Sequence, residues 1–154
     1  MAKAQRNYSL NYIRQMLPAA RSCAGDDEGE AIAARAAKLV GLQLYDETVA
    51  LVGGAAPGVE GFTAYLAAML EGGGDVVDVR VGNGERGEIV QTGWRMMAGS
   101  VAATSGDFHA WSNLWQGACA SHDAGLTVSV EEIDGSDVAL GEPQFRWTIG
   151  PAAG

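Results

Sequence analysis

The sequence predicts an α+β fold, because its hydrophobic period changes once along the chain. Residues of about 9–70 carry helical spacing, while about 75–150 hold four short alternating stretches around one helix. Those stretches pair across tight turns, so hairpins rather than crossovers join them, and the sheet is antiparallel with helices on one face. The expected order is α-α-α-β-β-α-β-β, in one domain spanning 1–154.

The first helix is expected to start at a Ser9 cap, with Leu10, Ile13, Met16 and Leu17 on one side. Pro18 should kink or end it, since proline lacks the backbone donor. Gly25-Asp26-Asp27 opens the second helix, with Asp26 or Asp27 as N-cap and Glu28 and Glu30 favouring its positive end. That helix runs to about Val52, where Gly53-Gly54 stops it. Pro57-Gly58 begins a third, from about Val59 to Leu70, with Phe62, Tyr65, Leu66 and Met69 in helical spacing, and Glu71-Gly-Gly-Gly-Asp75 breaks it. Val77, Val79 and Val81 then alternate with Asp78 and Arg80. Gly82-Asn83-Gly84 turns the chain into a return strand from Ile89 to Trp94. Gly99 to Gly106 reads as a loop and Asp107 to about Ser121 as a helix. Leu126-Val128-Val130 and Phe145-Trp147-Ile149 form the second hairpin, linked through Gly135-Ser-Asp137 and Gly141-Glu-Pro143. Pro151 to Gly154 is expected to fray.

Composition bounds the function. Of 154 residues, 26 are alanine and 32 are Leu, Ile, Val or Phe, so a modest core is expected. A net charge of −9 opposes binding to nucleic acid or an anionic membrane face. Two cysteines, Cys23 and Cys119, with no CxxC, make neither a disulfide framework nor a structural zinc site. With no signal peptide or membrane-length apolar run expected, a cytoplasmic setting is the default. Gly82-Asn-Gly84 lacks the helix and GK[ST] ending of a phosphate loop, and HExxH, GxSxG and dinucleotide fingerprints are missing, so no cofactor or metal is expected.

The second helix carries two apolar stripes. Ala33, Ala37, Val40, Leu44 and Leu51 share one side at about 100° per residue, and Leu39, Leu42, Tyr45 and Val49 share the other. Such a helix is either central in the fold or shared with a second copy, and a homodimer is expected. Glu47 falls near the first stripe, where desolvation would raise its pKa and make it a proton carrier; alternatively it reaches water at the helix end.

The segment Asp107 to His122 is richest in chemistry. Trp111, Trp115, Ala118 and His122 share one face, bordered by Asp107 and Phe108, while His109, Asn113 and Gln116 point away. The two tryptophans form either a core seam or the wall of a ligand cavity, placed between this helix and the sheet. His122 and His109 are candidate proton carriers, with Asp107 or Glu47 as partner. Cys119 beside His122 reads as a buried thiol rather than a nucleophile. Trp94, Arg95 and Tyr45 complete the candidate binding set, Arg95 through its forked guanidinium on a substrate carboxylate. Arg146 should pair across strands with an acidic residue, with Glu131 exposed.

Trp111-Ser-Asn-Leu-Trp-Gln-Gly, Gly125-Leu-Thr-Val-Ser-Val-Glu and Phe145-Arg-Trp-Thr-Ile together resemble the end of the L-2-amino-thiazoline-4-carboxylic acid hydrolase-like proteins. The same order is similar to the vinyl-4-reductase-type ligand-binding domains. The likeness covers about the last 50 residues, and Pro143-Gln144 stand before Phe145 where both families often carry cysteine. It implies an α+β small-molecule site and, in the first family, amide-type or ring-opening hydrolysis.

Two functions follow as expectations. One is a cofactor-free small-molecule enzyme, hydrolase or lyase, using acid/base chemistry in an aromatic-lined pocket. The other is a non-catalytic ligand-binding or sensory domain.

Overall fold

A computed structural model describes residues 2–81, 84–98, 103–134 and 142–153, with side chains from Tyr12 onward except Val81. The elements are α1 (Ala2–Ala24), α2 (Asp26–Leu51), α3 (Gly58–Gly72), β1 (Val76–Val81), β2 (Gly87–Thr92), a 3-10 turn (Arg95–Met97), α4 (Ser105–His122), β3 (Leu126–Glu132) and β4 (Gln144–Pro151). The order is the α-α-α-β-β-α-β-β arrangement expected, and the four strands form one antiparallel sheet in the order β1-β2-β4-β3. The expected centres of the β1–β2 turn and of the β3–β4 link, and most of the loop before α4, lie outside the described residues.

Strand alternation sets the two sheet faces. Ile89 and Gln91 of β2 and Phe145, Trp147 and Ile149 of β4 are buried under α3 and α4. Phe108 of α4 stacks on Phe145 with ring centroids 3.4 Å apart and planes 3° from parallel. On the outer face Arg146 pairs with Glu131 at 2.9 Å, directly across the β3–β4 ladder, and Glu131 is exposed, both as the alternation predicts.

Several element ends differ from expectation: β2 runs Gly87–Thr92 rather than Ile89 to Trp94, and α4 starts at Ser105 rather than Asp107. α1 begins at Ala2, places Ser9 in its interior and continues through Pro18. The missing Pro18 donor removes one hydrogen bond, and packing of α1 along α2 outweighs that local loss. The N-cap of α2 is Gly25, at φ 85°, leaving Asp26, Asp27 and Glu28 in the first helical turn. Only glycine adopts that backbone readily, which lets α1 and α2 meet across a single residue. Pro151 belongs to β4, and Ala152 N–H still donates to Gly125 O at 2.8 Å, so the tail is tied at its start.

α2 lies over α4 as an outer layer. Its buried face carries Gly41 and Tyr45, the latter from the second predicted stripe, whose Val49 also packs against the core; Leu39, Val40, Leu42, Leu44 and Leu51 are exposed in the single chain. The helices touch backbone to backbone. A Cβ on Gly41 would sit 1.9 Å from Leu114 O, and one on Gly117 2.1 Å from Lys38 O. Glycine on each helix permits the close approach. Within the described residues, no helix is long and apolar enough to cross a membrane.

Candidate functional site

A cavity of about 550 Å³ opens between the α2 layer and the α3–α4 layer. It is not between α4 and the sheet, as expected, because the Phe108–Phe145 stack fills that interface. Its wall is a ladder of indoles. Trp94, two residues beyond β2 at the start of the 3-10 turn, lies 5.6 Å from Trp111, which lies 5.7 Å from Trp115. Tyr65 of α3 meets Trp115 edge-on at 6.5 Å and Tyr45 of α2 at 5.1 Å, carrying the aromatic surface round to the opposite side. Val40, Leu44, Met69 and Leu114 complete a mostly apolar lining.

The hydroxyl groups of this wall are already paired. Tyr65 Oη and Thr48 Oγ1 are 2.7 Å apart. Tyr45 Oη bonds His122 Nδ1 at 2.5 Å. Burial raises the pKa of both phenols: at Tyr45 the neighbouring Tyr65 adds to the effect, and at Tyr65 the Thr48 bond lowers it in part. The indoles differ. The Nε1 atoms of Trp94 and Trp115 are buried and have no hydrogen-bond partner among the described residues, although each side chain sits in a residue only 5% exposed. Two orphaned donors in one cavity wall are uncommon in a folded protein, where buried polar atoms are paired.

Three charged residues line the cavity: Arg14 of α1, Asp75 before β1, and Arg95. Asp75 accepts from the Arg95 backbone N–H at 2.8 Å and from Gln91 Nε2 at 2.7 Å. Gln91, fully buried in β2, also takes the Trp147 indole N–H at 2.8 Å on its own oxygen. Burial pushes the Asp75 carboxyl above its ordinary value, and the two hydrogen bonds and the Arg95 charge draw it partly back. Arg14 Nε donates to Met96 O at 2.6 Å, pinning the 3-10 turn to α1.

All five residues expected to bind a ligand, Trp94, Arg95, Trp111, Trp115 and Tyr45, line this cavity. None of the four expected to carry protons does. Asp107 is 1% exposed at the far end of α4, where it closes a capping box with Thr104 and takes Arg21 Nη2 at 2.9 Å. It stands about 22 Å of helix rise from His122 and cannot pair with it. His109 faces solvent, as its helical position predicts. Glu47 is exposed, so the desolvation expected there is not met: the buried face of α2 turns away from it. His122 sits behind Tyr45, with Nε2 at 3.1 Å from Gly58 O. Cys119 is buried, and burial followed by the nearby Asp123 charge pushes its thiol up to about 11, which keeps it protonated.

Sequence reasoning missed Asp75, Arg14, Gln91 and Thr48. Asp75 closes a glycine break with no pattern of its own, whereas Gln91, two residues from Ile89 and so on the same strand face, carried the signal that this polar side chain points inward. The Thr104-Ser-Gly-Asp107 spacing likewise marks a helix cap. Among the described residues, no three His, Cys, Asp or Glu side chains gather as metal ligands. No family model and no curated protein matches the chain, so function is argued from the site itself.

Proposed function

We propose that this protein is a small-molecule-binding domain whose ligand lies along the Trp94–Trp111–Trp115 ladder. The observation that carries this is the continuous aromatic wall, Trp94, Trp111 and Trp115 with Tyr65 and Tyr45, around a mostly apolar cavity of about 550 Å³. That volume falls within the usual range for organic ligands. A ligand of planar apolar body stacks on the rings. The two free cysteines, exposed Cys23 and buried Cys119, suit a reduced, cytoplasmic setting.

The test is a nitrogen–proton correlation spectrum during titration with a panel of planar two-ring compounds. The indole resonances of Trp94 and Trp115 move, while that of Trp147, bonded to Gln91, holds its position. A panel that leaves the Trp94 and Trp115 signals unmoved removes the binding reading.

An enzymatic reading, hydrolase or lyase, rests on one specific observation: Asp75 is a cavity-lining carboxyl whose proton affinity burial has raised. The proton-transfer role then falls to Asp75 rather than to His122, His109, Asp107 or Glu47. Turnover of a bound compound that disappears in Asp75→Asn while binding persists supports it; binding without turnover in the unaltered protein leaves the domain a binder.

A further inference from the structure

We infer that the ligand is an apolar monocarboxylate whose carboxylate group lies at the Arg14–Arg95 end of the cavity. The inference rests on the binding reading and specifies the ligand class.

The charge balance points this way. The whole chain carries −9, yet the cavity is lined by two arginines and one aspartate, leaving one positive charge. Neither guanidinium is neutralised by an ion pair among the described residues. Arg14 spends only Nε, on the Met96 carbonyl, and its two terminal NH₂ groups make no hydrogen bond there. Arg95 contributes its backbone N–H to Asp75, while its side-chain stem passes along Gly74, with no hydrogen bond from the guanidinium among the described residues.

Donor balance agrees with charge. Asp75 has one bond to each oxygen, from Arg95 N and from Gln91 Nε2. The hydroxyl groups of Thr48, Tyr65 and Tyr45 are engaged with protein partners. What remains unmet in the cavity lining is a pair of donors, the two guanidinium groups. A cationic ligand would stack well on indoles, but it would meet one surplus positive charge and a carboxylate already bonded. A forked guanidinium matches a carboxylate in shape as well as charge. One surplus positive charge suits a monoanion better than a phosphate dianion.

The test compares three probes of one shape, 2-naphthoate, 2-naphthamide and 2-naphthyl phosphate, by calorimetric titration at pH 7 and low salt. Naphthoate binds about tenfold more tightly than the neutral amide, the size expected of a partly exposed charge-assisted contact, and more tightly than the phosphate. In Arg95→Gln, and further in Arg14→Gln with Arg95→Gln, that preference falls toward unity while the amide affinity holds. Arg95→Gln alters an exposed side chain, so it remains decisive if loss of the Arg14–Met96 bond unfolds the double variant. Equal affinity for naphthoate and amide, a preference for the phosphate, or a carboxylate preference that survives Arg95→Gln overturns the inference and leaves the binding reading standing. Failure of all three probes, with the Trp94 and Trp115 resonances unmoved, overturns both.

Discussion

The phenol of Tyr45 donates to His122 Nδ1 at 2.5 Å, and the other nitrogen of that ring, Nε2, meets the Gly58 carbonyl at 3.1 Å. A carbonyl only accepts, so Nε2 carries the proton, and in that tautomer Nδ1 accepts from the Tyr45 hydroxyl. The histidine therefore ties α2, α3 and α4 together from behind the cavity wall. Phe62, fully buried, packs against it at 5.5 Å.

Tyr45→Phe keeps the ring that faces Tyr65 and removes the donor. The imidazole Nδ1 is then left without its partner, and the expected loss is about 1 kcal/mol of stability, the usual size for losing a half-buried hydrogen bond. Chemical denaturation measures it, and nitrogen chemical shifts of the unaltered protein should report the Nε2–H tautomer. An Nδ1–H tautomer, or a variant as stable as the parent, contradicts this arrangement.

The glycine crossing of α2 and α4 makes a sharper demand. Ala at position 41 or 117 would drive a methyl into backbone oxygen on the facing helix. Backbone cannot step aside as a flexible side chain can, so Gly41→Ala and Gly117→Ala should each lose about 3 kcal/mol, at the upper end of ordinary overpacking, or about 6–12 °C in Tm for a chain of this size. Gly72→Ala, where a Cβ meets nothing within 4 Å, serves as the control and should stay near the parent value by thermal melting.

The same crossing explains what the sequence displayed and what it hid. Strand positions were legible because alternation has a short period and each inward side chain, Ile89, Phe145, Trp147 and Ile149, is large and apolar. The buried face of α2 was hidden because its defining residue is Gly41, which has no hydropathy to register, while the conspicuous leucines on either side are exposed. The indole wall followed from helical spacing of Trp111 and Trp115. Of its charged end only Arg95 followed; Arg14 and Asp75 did not, because they come from separated segments that only the tertiary fold brings beside it.

Thiol reactivity separates the two cysteines. Cys23 is exposed and Cys119 is buried with its thiol raised to about 11. At pH 8 in the folded protein, iodoacetamide should add once, at Cys23, and a second time only after denaturation, as intact-mass spectrometry would show. Rapid double alkylation of the folded chain would mean that α4 opens far more readily than its packing indicates.

Asp75 gives the pH prediction, and its sign is opposite to that of a salt-bridged carboxylate. Burial raises its value in the folded state above 3.8, the value of an unperturbed aspartate. The unfolded chain therefore releases this proton at lower pH than the folded chain does. The stabilising contribution is complete below the unfolded value and is lost as pH rises through the folded value of Asp75. A carboxyl-carbon NMR titration should place its midpoint above 3.8. Asp75→Asn should abolish that segment of the stability profile, yet destabilise the fold by about 1–3 kcal/mol at neutral pH, because an amide NH₂ would confront a donor at Gln91 or Arg95. Gln91 cannot rotate to compensate, since its oxygen holds the Trp147 indole and its nitrogen also serves Gly93 O at 3.0 Å. A midpoint at or below 3.8 would show that the carboxyl is solvated, and would leave the proton-transfer reading of the cavity without its group.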